Sequence, residues 1–250
     1  MTTGALIFAR NNEQIDYVAM AHWSAKNIER HLGIPTHIVT DDSLNSNTRY
    51  FTDVGNVTWY NHNRMDAYRL TPWDRTLVLD ADYVVACDQL KFILDADQDF
   101  LAHRWAYDVT DCTNFDGLNY FGNNRMPMWW ATVMMFRKSK QAELIFDSMQ
   151  MVRDNWAHYK NLYKNTNSTY RNDHALTIAL GMVNGHIVNH TGIPWRLASL
   201  TPEHKLTQID QDRYRVDFKN TENKPHWIEL HQDFHAMGKK QLGEIVANPC

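Results

Sequence analysis

Apolar positions along this chain switch between two spacings, and the switches mark its elements. "GALIFA" (4–9) is a short unbroken apolar run, as expected of a strand covered on both faces. Through 12–32, Ile15, Val18, Ala19, Ala21, Ala25 and Ile28 recur at helical spacing. Gly33 is placed to stop that helix, and Pro35 to open the strand "THIVTDD" (36–42). Strand, helix and strand in this order make a β-α-β unit with parallel strands and a right-handed crossover. Further strands are expected over "NVTWYN" (56–61), "TLVLDADYVV" (76–85), "FLAHRWAY" (100–107), "ATVMMFR" (131–137) and "GHIVNH" (185–190). Helices are expected over "RMDAYRLTP" (64–72), the segment 139–159 and "YRNDHALTIALGM" (170–182). From about residue 201 the pattern turns polar and irregular, and this tail is expected to fold back onto the main sheet. No repeat, low-complexity tract or linker interrupts the chain. The fold class is therefore α/β, a mixed, mainly parallel sheet flanked by helices in one domain.

Composition narrows the function classes. With 250 residues, 44% of them hydrophobic, the chain can fill a sizeable core. Its formal charge of −4 carries no long run of one sign, so charge alone indicates no polyanionic partner. Cys87, Cys112 and Cys250 lack metal-type spacing and suit free thiols in a reducing cytoplasm. The apolar part of the N-terminus is too short for a signal peptide, and no apolar stretch approaches the roughly 20 residues of a membrane span. A soluble, cytoplasmic protein is expected.

The chemistry gathers around "TLVLDADYVV". Asp80 and Asp82 stand where an α/β sheet binds ligands, at the carboxyl end of a strand, and point to the same side of an extended chain. Two like charges placed there call for a cation. Oxygen ligands favour Mg²⁺ or Mn²⁺, and a histidine partner tilts the choice towards Mn²⁺. The plainer reading is a solvated strand end. A phosphatase of the haloacid-dehalogenase type would use one Asp as nucleophile and the other as acid/base. That reading needs the strand near the start of the chain and a later acidic pair, and neither is present.

The segment "DAYRLTPWDRTLVLDADYVV" (66–85) resembles the GT-A nucleotide-sugar glycosyltransferases of the glycogenin and lipopolysaccharide-galactosyltransferase group. The likeness continues in order through "WWATVMMFR" (129–137), "NDHALTIAL" (172–180) and "HAMGKKQL" (235–242). It implies a metal-dependent transferase using a UDP-sugar, with Mn²⁺ or Mg²⁺ held by Asp80, Asp82 and His235. It implies that Arg69 helps to hold the donor diphosphate and that Asp173 is the catalytic carboxylate, with Asn172 and His174 as alternatives in an ambiguous register. The diphosphate lysine falls at Gln241, so Lys239 or Lys240 must substitute. The family's Asn-Ser-Gly element is replaced by Trp130, Ala131 and Thr132. Residues 8–12, with Ala9, Arg10 and Asn11, lie where a base and ribose would dock, although a simple strand-to-helix loop accounts for them equally. Asp41 and Asp42 are a helix cap or a ribose contact. In this layout residues 1–100 bind the nucleotide, 101–200 the acceptor, and 201–250 close over the site.

The N-terminal segment also looks like small glycosyltransferase-like proteins of tailed phages and marine viruses. Some phage glycosyltransferases sugar-coat hydroxymethylated pyrimidines in viral DNA, so the resemblance makes a modified base in DNA the leading acceptor, in the host cytoplasm if the protein is viral. A cell-surface or capsular glycan is the alternative, and a non-enzymatic sugar-nucleotide binder another. The DNA reading requires basic residues dispersed in the sequence to converge in space, with Arg104, Arg125, Arg137, Lys138, Lys140, Arg171 and Lys219 as the candidates. The i, i+4 pairs His231/His235 and His186/His190 lack the glutamate of a zinc-helix motif and are read as chance. Trp105, Tyr107, Trp129 and Trp130 read mainly as core, with one or two able to stack on a sugar or base.

Overall fold

A computed structural model describes residues 1–40, 64–165, 169–185 and 191–249. The opening β-α-β unit is present. β1 (Thr3–Phe8) is buried along nearly all its length and pairs in parallel with β2 (Thr36–Val39), Ala5 opposite Thr36. Between them α1 (Tyr17–Leu32) starts later than its apolar spacing suggests. Its cap is Asp16, whose carboxylate accepts from the Ala19 amide at 2.9 Å, and it ends on Gly33 in the left-handed region (φ 69°). The expected strand 56–61, residues 186–190 of the expected strand 185–190, and Asp41, Asp42, His186 and His190 lie outside the described residues.

After a 3-10 turn (Arg64–Asp66) and α2 (Ala67–Leu70) come β3 (Arg75–Leu79) and β4 (Tyr83–Val84). Residues 76–85 are thus two strands rather than one. The chain turns at Asp80, whose carbonyl accepts from the Tyr83 amide at 3.0 Å, and β4 leaves for a different sheet. Next are α3 (Lys91–Leu94), β5 (Phe100–His103), β6 (Ala106–Asp108), the hairpin β7 (Tyr120–Phe121) and β8 (Met126–Pro127), and β9 (Trp130–Arg137). The expected strand 100–107 is likewise divided, β5 and β6 lying in separate sheets. The long helix over 139–159 is broken at Asn155 into α4 (Lys140–Asp154) and α5 (Trp156–Leu162), because Asn155 leaves helical backbone angles (φ −118°, ψ 31°). α6 (Asn172–Val183) and β10 (Leu197–Leu200) follow.

The C-terminal part is not irregular. β11 (Lys205–Gln208), β12 (Tyr214–Lys219) and β13 (Pro225–Leu230) form an antiparallel sheet, and β14 (Phe234–Ala236) and α7 (Lys239–Ala247) close the chain. The burial of β11 alternates residue by residue, a period of two that its many polar side chains conceal.

The central sheet runs β2-β1-β3-β9-β5, and a second runs β4-β14-β10-β6. Across these two sheets four pairings are parallel and three antiparallel. Leu77, Val78 and Leu79 are fully buried, each worth about 1.5–3 kcal/mol of burial. α4 packs on α6, and Phe146 meets Phe136 edge-on at 4.8 Å. This packing fixes the strand ends that carry the polar residues.

Candidate metal and acceptor site

Asp80 and Asp82 sit at the crossing between the two large sheets. The Asp80 amide donates to the Thr132 carbonyl of β9 at 3.0 Å, and the Asp82 carbonyl accepts from the Ala236 amide at 2.9 Å. Both carboxylates are thereby held on clamped backbone. β14 lies between β10 and β4 and brings His235 opposite Ser199 and Tyr83. One ligand atom from each of Asp80, Asp82 and His235 lies within 4.8 Å of the others. The sequence separates His235 from the two aspartates by more than 150 positions, and the fold reunites them.

Whether the set suits a divalent cation can be judged from its surroundings. Two hard carboxylates and one imidazole are the donor types expected for Mn²⁺ or Mg²⁺. Asp82 is buried, and the Lys239 ammonium already answers its charge, with Nζ at 2.8 Å, while His235 Nε2 lies at 3.5 Å. The Arg64 guanidinium contacts Asp80. So strong a demand for positive charge fits a metal site. Burial on its own would raise the Asp82 carboxyl, but the Lys239 ammonium and then His235 outweigh it and hold Asp82 well below the ordinary range. Burial likewise works against the Lys239 charge, and Asp82 more than restores it.

A second carboxylate adjoins this set through the backbone of one residue, Ala131. Asp173, in the first turn of α6, accepts from the Ala131 amide at 2.8 Å, while the Ala131 carbonyl accepts from Arg64 Nη1 at 2.9 Å. Arg171 Nη2 reaches the other Asp173 oxygen at 3.2 Å. Burial would raise Asp173, but Arg171 and the Ala131 amide keep it below its ordinary value and therefore ionised near neutrality. Asp173, Arg171, Trp130, Tyr120 and Phe121 line a recess of about 190 Å³.

The remaining candidates divide. Lys239 is at the site, whereas Lys240 is exposed. Gln241 ties α7 to the C-terminal sheet by accepting from the Leu206 amide at 2.6 Å, a structural role where the resemblance expects a lysine. Arg69 pairs with Asp66 at 2.6 Å and is largely exposed. Asn172 is buried beside the Tyr170 hydroxyl at 3.4 Å. His174 is stacked on Trp156 at 5.5 Å, and burial pushes its pKa down to about 4. Ala9 is fully buried, with its amide donating to the Val39 carbonyl. Arg10 is half-buried at the end of β1, and Asn11 accepts from the Val18 amide at 2.9 Å, helping to start α1. His231 is on no helix with His235 and pairs with Glu229 at 3.5 Å.

Sequence reasoning missed Arg64 and the Ala131 peptide. Arg64 stands five residues before Arg69 in the same basic segment, and only the fold distinguishes them. Nothing in the residue type of Ala131 signals that both its amide and its carbonyl are used.

No protein-family model and no curated protein matches the chain. Among solved structures it is similar to the galactosyltransferase LgtC in complex with donor and acceptor sugar analogs: 16% identity, 71% of this chain and 70% of that chain, TM-score 0.42. It is also similar to the glycosyltransferase GlyE of Streptococcus pneumoniae: 15% identity, 73% of this chain and 43% of that chain, TM-score 0.40. A third similar structure is the bifunctional glycosyltransferase WbbM, at 13% identity over 73% of this chain and 37% of that chain, TM-score 0.39.

Proposed function

We propose that the protein is a metal-dependent glycosyltransferase that moves a sugar from a nucleotide-sugar, a UDP-sugar by the resemblance of its motifs, to an acceptor hydroxyl with retention of configuration. The observation that carries this reading is the convergence of Asp80, Asp82 and His235 on one point, with Lys239 against Asp82. Asp80, Asp82 and His235 would hold Mn²⁺ or Mg²⁺, which supplies charge neutralisation for a leaving diphosphate. Lys239, with its ammonium kept charged by Asp82, is positioned to add a second positive charge there. Arg64 fixes the Asp80 carboxylate and the Ala131 peptide. Asp173, ionised and facing the recess, is suited to orient an acceptor hydroxyl or to stabilise positive charge developing on the sugar.

For the acceptor we infer a hydroxymethylated pyrimidine base in DNA, with a glycan as the rival. Of the basic residues considered, Arg137 lies opposite Arg75, at the far end of β3 from Asp80, and Lys138 and Lys140 follow it there. These three are not part of an acceptor surface beside Asp80. Cys87 and Cys112 are unpaired, consistent with a cytoplasmic setting, and no described helix is long and apolar enough to cross a membrane.

The test is sugar transfer with a panel of UDP-sugars and acceptors, followed by mass spectrometry. EDTA is expected to abolish transfer and Mn²⁺ or Mg²⁺ to restore it, while Asp82→Ala is expected to lower the rate by about 10²-fold or more. Full activity in chelator would remove the metal from the mechanism.

A further inference from the structure

Eight described arginines reach a carboxylate oxygen within hydrogen-bonding or ion-pair range, Arg64 and Arg171 among them. Arg104, Arg125 and Arg196 do not, among the described residues. Each instead lies over an aromatic ring: Arg104 over Trp105 at 5.0 Å, Arg125 over Tyr120 at 4.2 Å and Arg196 over Tyr107 at 4.7 Å. Two of the three rings touch, and the third is close to one of them in the chain. Trp105 meets Tyr120 edge-on at 5.7 Å, Tyr107 follows two residues after Trp105, and Tyr120 also lines the recess that holds Asp173. Asp111 and Asp116, both exposed in the neighbouring loop, form no ion pair with any of these arginines among the described residues. Arg125 and Arg196 are exposed and Arg104 is half-buried.

In a chain of net charge −4, three guanidiniums without a carboxylate, two of them over touching rings and the third over Tyr107 two residues from Trp105, form a local cationic and aromatic surface. Stacking holds a guanidinium in place without neutralising it, so its charge stays available to a partner. Phosphate groups alternating with flat bases match both features, because guanidiniums pair with phosphate and aromatic rings stack on unpaired bases. A neutral glycan would use the rings and leave the charges unanswered.

We propose that this surface docks a single-stranded stretch of nucleic acid, its phosphates against Arg104, Arg125 and Arg196, and delivers one unstacked base to the recess beside Asp173. The assignment rests on the glycosyltransferase reading for what happens to that base, but not for the binding itself.

The experiment measures fluorescence anisotropy of a short fluorescein-labelled single-stranded DNA across a salt series. The native protein is compared with Arg104→Gln/Arg125→Gln/Arg196→Gln and with Arg125→Gln alone, whose exposed side chain can be changed without loss of fold. Taking away one arginine–phosphate pairing lowers the slope of log K against log salt by about 0.7, so the slope is expected to fall by about 2 in the triple variant and by about 0.7 in the single variant. Mn²⁺ and UDP binding, followed by calorimetry on the same samples, are expected to stay unchanged. No binding of DNA by the native protein, or an equal slope in the native protein and both variants, overturns the proposal and leaves a glycan acceptor. Arginine-dependent DNA binding without any Mn²⁺ or UDP binding upholds the surface and removes the glycosyltransferase reading.

Discussion

Arg64→Ala offers a direct measure of how strongly the carboxylates at the sheet crossing depend on positive charge. The side chains of Arg64 and Asp80 are 14% and 15% exposed, so their pairing is mostly withdrawn from water. Removing one partner of a buried pair costs about 3–5 kcal/mol, and the remaining exposure lowers the expectation here to about 2–4 kcal/mol. Part of that cost is the hydrogen bond to the Ala131 carbonyl, about 1 kcal/mol. For a chain of this size 1 kcal/mol moves the melting temperature by about 2–4 °C, so the metal-free variant is expected to melt about 4–16 °C lower. A divalent cation between Asp80 and Asp82 would replace the missing charge at Asp80 but not the Ala131 hydrogen bond. In the native protein the same ion must compete with Arg64 for that carboxylate. Saturating Mn²⁺ is therefore expected to raise the melting temperature of Arg64→Ala by more than it raises that of the native protein, recovering all but the hydrogen-bond share. Differential scanning fluorimetry with and without Mn²⁺ reads both quantities. Equal metal increments in the two proteins, or an unchanged melting temperature without metal, would contradict this account of the Arg64–Asp80 pair.

Asp173→Asn is expected to leave UDP affinity by calorimetry nearly unchanged while lowering turnover about 10²-fold, the pattern of an interaction made mainly in the transition state. Normal turnover would shift the catalytic role to another group. Burial also lowers the pKa of His174, and that of His103, from 6.5 to about 4, so both are neutral in the folded protein near pH 7. The unfolded chain then binds more protons between these values. Stability is therefore expected to be fully present above pH 6.5 and to decline as pH falls towards about 4. His174→Phe keeps a ring against Trp156 and should flatten part of that decline in urea denaturation measured at several pH values. An unchanged pH slope would mean that His174 titrates normally.

The β-α-β opening, the stop at Gly33 and the buried β1 and β3 were legible in the sequence, because they follow from the spacing of apolar side chains within one segment. The Asp80/Asp82 pair was legible too, as two carboxylates at a strand end, whereas His235 was indicated only by the resemblance of "HAMGKKQL" (235–242) and is brought to them by the fold. Gln208, Arg215 and Glu229 masked the C-terminal sheet, in which one face is solvated and the alternation is easily obscured by polar residues. Tertiary packing chose Arg64 over Arg69 and Lys239 over Lys240, and it assigned Gln241 a structural task. It also divided 76–85 between two sheets. Those outcomes depend on ion pairs and hydrogen bonds between residues far apart in the chain, such as Asp82 with Lys239 and Asp173 with Ala131. Such bonds form only where packed elements bring side chains within a few ångströms, and local periodicity carries no record of that distance.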